Sequence, residues 1–508
     1  MNILLLYPRM PDTFWSMQHF MKMVSKKSSY PPLGLLTVAR ILPDDWNKKL
    51  VDLNVTTLDP ADVEWADYVF VSAMNVQRKY AHEAILECKK HGKKVVAGGP
   101  LFTHEHEYFP EVDYFVLNEA EITLPFFVAD LMNGTPRRIY SSPDFADMNK
   151  AVLPDWNLIN LKNYAYAIVQ YSRGCPYMCD FCDVTTLFGR RPRTKTAQQI
   201  ISELDEILAA GNPMMILFAD DNLIGNRKDL KNNLLPALIE WRRAHKTAPG
   251  FATQVTINLA DDEEMMKLMI DAGFRNIFVG IESTDIESLE ACRKTQNLKR
   301  SISGDVQLLQ KKGFIVTGGF IVGFDADKEA IFDQQIDFIQ ESGIVMATVN
   351  VLKAPPGTEL YDRMKKENRL IGDFDFDENK TNIHTKMDTL VLYNGYKKIL
   401  DAIYDPRKVY ERSRSFLLRY GNYASENPLQ RKFRFEDILA FLGVIYFAGI
   451  AGKGRIYFWK LMIEIAVRRK RNLTNALFFG ALMYQFQNLH KKFIESYNQV
   501  VSAYPKAA

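Results

Sequence analysis

Short apolar runs recur along the first 350 or so positions, and between them the apolar residues return every three or four places. The first habit marks buried strands and the second marks helices with one face on a core. In the first segment the pattern predicts strands at Ile3 to Tyr7, Leu50 to Leu53, Tyr68 to Ser72, Lys94 to Ala97 and Tyr114 to Leu117. It predicts helices from Leu33 to about Leu42, from about Gln77 to His91 and from Ile122 to Met132. Strand and helix in alternation give an α/β fold with a doubly wound, Rossmann-like parallel sheet over residues 1–135. Such sheets take ligands beyond the carboxyl ends of their strands. Those ends carry Tyr7 and Pro8, Asp52 and Asn54, Ser72 and Met74, Gly98, Gly99 and Pro100, and Asn118 and Glu119. The two glycines would let backbone approach a bulky ligand closely and Ser72 would hydrogen-bond it, although strand-end glycines serve equally well as turn punctuation. Neither a GxGxxG nor a Walker A sequence is present, so a nucleotide is not the favoured ligand.

Pro136, Pro143, Pro154 and the DFADMNK cluster mark residues 136–165 as a linker. From Tyr166 the alternation resumes with a longer period. Strands are expected at Ala167 to Ser172, Met214 to Ala219, Phe251 to Ile257, Asn276 to Glu282, Ile315 to Val322 and Met346 to Leu352, with helices between them, one of them from Lys228 to His245. Six such units predict a partial (β/α)6 barrel over residues 166–360, with its chemistry at the carboxyl ends of the strands. Beyond Tyr361 the pattern becomes mostly helical as far as residue 508.

Composition adds two things. Of the net charge of +3, residues 401–508 hold +10, from 18 Lys and Arg against 8 Asp and Glu, which leaves −7 for the rest. That basic segment is also aromatic, with Phe433, Phe435, Phe441, Tyr446, Phe447, Tyr457, Phe458 and Trp459 beside Arg468, Arg469, Lys470 and Arg471. It suits a helical cap with a solvated charged face, or contact with anionic lipid or an apolar substrate; no nucleic-acid recognition module is visible. The longest apolar run, Ile438 to Gly452, falls short of the ~20 residues of a spanning helix. The N-terminal MNILLLYPRM lacks the basic start and the length of a signal peptide, so the expectation is a cytoplasmic protein that touches the inner membrane face at most.

The second addition is cysteine. Three of the five, Cys175, Cys179 and Cys182, form a CxxxCxxC just after the first barrel strand. Thiolates so close can converge on one soft metal centre, and a four-iron cluster held by three cysteines keeps one iron open for another ligand. A structural zinc site needs a fourth Cys or His, which the next 40 residues do not supply. A ligand on that open iron that brings an N–H or cationic group wants an acid close by, and Asp220 or Asp221 at the second strand end offers one. Adjacent acids point to opposite sides, and Asp221 is favoured over Asp220; a solvated helix N-cap is the alternative for both. Glu282 at the fourth strand end is costly to bury unpaired, which calls for a ligand or a cationic partner. Arg190, Arg191, Arg193 and Lys195 are placed either to hold cofactor anions or as a solvated loop. His104 and His106, flanking Glu105, read as surface residues before they read as metal ligands.

With these residues in view, the chain resembles cobalamin-dependent radical SAM methyltransferases. The first segment is similar to their cobalamin-binding domain through Tyr30 to Leu35 (YPPLGL), Val95 to Pro100 (VVAGGP) and Val116 to Glu121 (VLNEAE). Where such domains carry DxHxxG, this chain reads Asp52 to Thr57, DLNVTT. The resemblance therefore implies cobalamin without a lower protein ligand, bound by the strand-end residues above. Residues 166–360 resemble the radical SAM domain through the cysteines with Phe181 before the last, FADDN at the second strand end, VGIES at the fourth, GGFIVGFD with Gly323 at the fifth, and APPGTELY after the sixth. This implies a 4Fe-4S cluster on the three cysteines and S-adenosylmethionine against Phe181, Asp220, Asp221, Glu282 and Gly323. CDVTTLFGRRPRTKT and INLADD look like the group that includes hopanoid C-2 methylases and resembles bacteriochlorophyll side-chain methylases. The implied activity is methylation of an unactivated carbon of a lipophilic or polycyclic small molecule. One S-adenosylmethionine methylates cobalamin, another yields a deoxyadenosyl radical, and a flavodoxin or ferredoxin supplies electrons. No protein acid or base is required. The alternatives are a cobalamin-dependent radical cyclase or rearrangement enzyme without methyl transfer, and a non-enzymatic cobalamin-binding module.

Overall fold

The computed structural model describes residues 1–372, 380–420 and 435–503. Its first sheet is all parallel, with β1 (Asn2–Tyr7), β2 (Asn47–Asp52), β3 (Tyr68–Ser72), β4 (Lys94–Gly98), β5 (Tyr114–Val116) and β6 (Ile139–Tyr140) in the order β2-β1-β3-β4-β5-β6. Leu4 and Leu6 join one core on one face, and Ile3 and Leu5 another on the opposite face. That is what a strand covered on both sides requires. The order reverses at β1, so the crevice of a doubly wound sheet lies beyond the ends of β1 and β3. Within the expected linker, Ile139–Tyr140 pairs with β5 and extends the sheet.

The second sheet contains β7 (Tyr166–Val169), then β10 (Met215–Phe218), β11 (Gly250–Val255), β12 (Phe274–Glu282), β13 (Ile315–Val322) and β14 (Met346–Val351), each parallel to the next. Between β7 and β10 a two-residue antiparallel pair, β8 (Ser172–Arg173) with β9 (Arg193–Thr194), closes the cysteine loop at its base. Sequential neighbours joined by helices make the partial barrel expected from the pattern. Outward-facing Phe218, Phe251 and Phe274 pack on one another beneath the helices, with ring centroids 5.0 to 5.3 Å apart. The expected helix from Lys228 to His245 is real but irregular: its turn at Leu230–Leu234 is π-helical, just before Pro236, whose missing N–H cannot join a regular ladder.

After Glu359–Lys366, helices Thr389–Tyr404 and Pro406–Arg419 pack on the barrel, and Phe435–Val444 continuing to Ala451, Arg455–Arg468 and Leu473–Ala503 form a further helical layer, with the last of them packed on those two. A short helix that the pattern did not show, Gln18–Met23, follows the β1 loop, and the Phe20 amide donates to Gln485 Oε1 (2.8 Å) in the last helix. The Pro8–Met17 stretch after β1 thus reaches all three parts: Phe14 stacks on Phe486, and Trp15 meets Phe278 of the barrel edge-on at 5.0 Å.

Candidate active site

The carboxyl ends of the two sheets face each other, and charged groups hold them there. Arg173, two residues before Cys175, donates to both Glu121 oxygens at 2.7 and 3.1 Å. Arg193 forks onto Glu119, with one bond at 3.0 Å, and also donates to the Ala146 carbonyl at 2.6 Å. Arg173 lies 3.4 Å from Glu119, whose side chain is 2% exposed, and the Ala146 amide donates to the same carboxylate at 2.7 Å. The VLNEAE motif therefore clamps the first sheet to the base of the cysteine loop. Glu119 is committed to that clamp, and so is Arg193 of the basic run. Lys195 pairs with buried Glu203, and Arg190 with Glu359 at 3.1 Å.

The cysteine loop begins at Gly174, whose φ of +95° only glycine adopts cheaply; a side chain there would press on the Gly189 and Phe188 carbonyls at 2.9 Å. Cys175, Cys179 and Cys182 are partly exposed. Burial raises all three thiols; Cys175 and Cys182 each feel the charge of Cys179, and the cation of Lys294 opposes the rise in all of them. Among the described residues no three His, Cys, Asp or Glu side chains are gathered into a ready-made cage. The donor set still suits a cluster: three neighbouring thiols on one loop at a barrel mouth, with a lysine beside them to favour the thiolates. Phe181 packs edge-on against Phe324 after β13, 6.1 Å between centroids, which anchors the loop's end.

The acids that the spacing singled out separate sharply. Asp220 is fully buried and accepts from the Ser172 amide and hydroxyl (the latter at 2.5 Å) and from the Tyr171 amide at 3.3 Å. It staples β10 to the start of the cysteine loop, with burial pushing its carboxyl up to about 7 against those donors. Asp221 keeps part of its surface and accepts from the Gly174 amide at 3.2 Å; burial pushes it up to about 6. Glu282, in the left-handed region at φ 65°, pairs with Lys294 at 2.7 Å. Burial works against the Lys294 cation, yet Glu282 and Cys179 outweigh it and hold the lysine above its ordinary range. Lys294 is the cationic partner that Glu282 called for. Sequence reasoning missed it because nothing but a 12-residue separation relates the two. Gly323 is at φ +100°, and its amide and that of Phe324 donate to Asp327 at 2.8 and 3.1 Å.

Next to it, Asp325 accepts from Arg369 at 2.6 and 3.0 Å and from Arg363 at 2.7 Å. Burial alone would raise this carboxyl, but the two guanidiniums bring it down to about 2. An unfolded aspartate titrates near ~3.9, so the pair contributes stability above about pH 4 and loses it as pH falls towards 2. Asp325→Asn will flatten that limb. The urea midpoint of the variant should change less between pH 5 and pH 3 than that of the parent, and equal changes would show that the guanidiniums do not perturb this carboxyl.

On the first sheet, Tyr7 and Pro8 end β1. The Pro8 carbonyl accepts from Asn54 at 3.2 Å and from Gln77 at 2.7 Å, and Asn54 also holds the Met10 amide at 2.6 Å. Asn54 is thus spent on folding the β1 loop. Asp52 below it takes the Tyr164 hydroxyl at 2.8 Å. A side chain on Gly98 would strike the Val116 carbonyl at 2.6 Å and one on Gly99, at φ +92°, the Ser72 hydroxyl at 2.7 Å, so both glycines are needed for packing whatever binds above them. Pro100 opens the helix Pro100–Glu105, Met74 is 50% exposed, and Asn118 is left-handed at φ 63°. His104 turns towards the barrel: Gly357 after β14 lies against it, and burial lowers its pKa against the charge of Asp183.

Family models match in the same order as these parts: a B12 binding domain over residues 23–128, the Radical SAM superfamily over 169–339, and a domain of unknown function (DUF4070) over 358–499. The chain is 37% identical over 464 residues to the uncharacterized methyltransferase sll1242 of Synechocystis sp. (strain ATCC 27184 / PCC 6803 / Kazusa), covering 90% of this chain and 86% of that one. It is 32% identical over 477 residues to the hopanoid C-2 methylase of Rhodopseudomonas palustris (strain TIE-1), covering 92% and 90%. The chain belongs to the cobalamin-dependent radical SAM methyltransferases. The fold agrees: the radical S-adenosylmethionine methyltransferase TsrM of Kitasatospora setae, solved with tryptophan and a SAM analogue, superposes with TM-score 0.61 at 15% identity over 93% of this chain and 99% of that one. As a member of this family the protein is a C-methyltransferase whose cofactors are a 4Fe-4S cluster and S-adenosylmethionine in the barrel domain and cobalamin in the first domain. No helix among the described residues is long and apolar enough to cross a membrane.

Proposed function

We propose that this methyltransferase acts on an unactivated carbon of a lipophilic, polycyclic small molecule, a hopanoid-like lipid or a tetrapyrrole, seated in the barrel lumen. One observation carries the reading. Along the barrel strands alternate residues point inward, and the inward set is not closed off. Gln254 of β11 and Asn350 of β14 are exposed although they lie in parallel strands, and Ile168, Leu217, Phe278 and Ile321 are only partly buried. A closed barrel core would bury them. Trp15, 43% exposed, lies against Phe278 and brings the β1 loop of the first domain to the same space. In this reading the lumen is an open, largely apolar chamber with three amides, Gln254, Asn276 and Asn350, of the kind that takes an apolar ring system and orients it by a few polar contacts. Similarity to a hopanoid C-2 methylase supports the same substrate class.

In this reading Cys175, Cys179 and Cys182 hold the cluster, and Phe181 fixes the loop against Phe324. Asp221, the Glu282 and Lys294 pair and the Gly323 turn surround S-adenosylmethionine, while Asp220 acts through the loop it staples. Tyr7, Pro8, Ser72, Met74, Gly98, Gly99, Pro100 and Asn118 would line the cobalamin site, with Asn54 holding the β1 loop and Glu119 the clamp beside it. When bound, these cofactors supply the radical and the methyl group. The chain's own residues position the partners and keep water from them. Electrons come from an external flavodoxin or ferredoxin. The test is to incubate the reconstituted protein with S-adenosylmethionine labelled in its methyl group and a hopanoid-containing extract, then look by mass spectrometry for a product with one labelled methyl. Deoxyadenosine formation with no label in any product would overturn methyl transfer to this class.

A further inference from the structure

Large apolar side chains stand exposed on one helical hairpin more densely than anywhere else among the described residues. Its first arm runs from Phe435 to Ala451, and its second from Arg455 to Arg468. On the first arm Ile438, Leu442, Tyr446 and Ile450 are exposed at intervals of four, so one face is apolar along its length. On the second arm Ile456, Trp459, Ile463 and Val467 repeat the pattern, Ile456 at 72% and Val467 at 81% exposure. These stripes are not the core face in another register. Val444, Ala448, Phe458, Leu461 and Ile465 already face inward, and the Trp459 indole N–H donates to the Gly449 carbonyl across the hairpin at 2.9 Å.

Charge decides what covers the face. Residues 435–471 contain Lys453, Arg455, Lys460, Arg468, Arg469, Lys470 and Arg471 against three acids, Glu436 and Asp437 in the first turn of the first arm and Glu464 in the second arm. Glu464 is engaged by Arg414 and the Tyr410 hydroxyl, each at 2.8 Å, and Glu436 lies 4.0 Å from Lys26, which leaves the hairpin a clear basic excess. A second copy would bring like charges together at the rim. An anionic bilayer satisfies both parts, because apolar side chains enter the headgroup boundary while long basic ones reach up to the phosphates.

We propose that this hairpin is a monotopic docking surface for an anionic lipid bilayer. It does not span; it lies in the interface. The test uses the full-length protein and sedimentation with vesicles of phosphatidylcholine alone or mixed with phosphatidylglycerol. Binding should be strong only to the mixed vesicles and weaken as salt rises. Ile456→Glu with Ile463→Glu should release the protein, and Lys470→Glu with Arg471→Glu should weaken binding by about fivefold per charge. Both pairs are solvent-facing, and deoxyadenosine formation in vesicle-free solution should stay at the parent level. That keeps failure of this surface distinct from failure of the proposed chemistry. Absent or composition-independent binding, or binding unchanged in both variants, would overturn the proposal. So would a concentration-dependent dimer that the same variants dissolve, which would assign the face to a second copy.

Discussion

Cys179→Ala will abolish reductive cleavage of S-adenosylmethionine. Deoxyadenosine formation should fall by at least about 10³-fold, a barrier increase of about 4 kcal/mol or more, and the iron-dependent visible absorbance should disappear with it. Cobalamin binding should survive, because Cys179 sits on the barrel's loop and takes no part in the clamp or in the first sheet's strand ends. The expectation rests on the residue's surroundings as well as on its motif. Cys179 is the central thiol: its charge is felt by Cys175, Cys182 and Lys294, and Gln296 Nε2 lies 3.9 Å from its sulfur. The other two cysteines provide the contrast. Cys88 is buried in the first domain's core, with burial pushing its thiol up to about 12, and Cys292 sits in a small apolar cluster with its thiol likewise raised to about 12. Cys88→Ala should leave cleavage untouched. Retained cleavage in Cys179→Ala would remove the cluster from these three residues.

What was legible beforehand follows from the range of each signal. The strands of both sheets appear in the sequence because a strand covered on both faces needs an apolar run, and the cysteines because a chelating loop keeps its ligands close together. β6 was not legible: Ile139–Tyr140 is a two-residue strand among prolines and arginines, and only its pairing with β5 makes it one. The division of labour between Asp220 and Asp221 was not legible either. It depends on the Ser172 and Tyr171 donors, which the β10 to β7 pairing brings to Asp220 across 48 and 49 positions. Glu282 announced a need for a partner and left Lys294 to the fold. Asn54 and Glu119 were read as lining a cofactor site because they follow strands. In the folded chain both already have polar partners, Asn54 in the β1 loop and Glu119 in the arginine clamp.

That clamp carries the second large effect. Arg193→Ala should lower the unfolding free energy by about 3–5 kcal/mol, the range for stripping one partner from a buried ion pair. Exposed pairs lose about 0–1 kcal/mol, so the measurement discriminates. Burial favours the larger figure: the Glu119 side chain is 2% exposed, and without Arg193 it keeps only Arg173 at 3.4 Å and the Ala146 amide. Arg193→Lys should recover only part of the loss, since an ammonium cannot reproduce the forked contact to both carboxylate oxygens. Adding Glu119→Gln to Arg193→Ala should restore stability by removing the stranded charge, and a double-mutant cycle between them should give a coupling well above 1 kcal/mol. The same pair of variants decides what Glu119 is for. If it acts through the clamp, Glu119→Gln and Arg193→Ala weaken cobalamin binding together. If it touches the cofactor, Glu119→Gln alone does so while Arg193→Ala leaves the affinity unchanged.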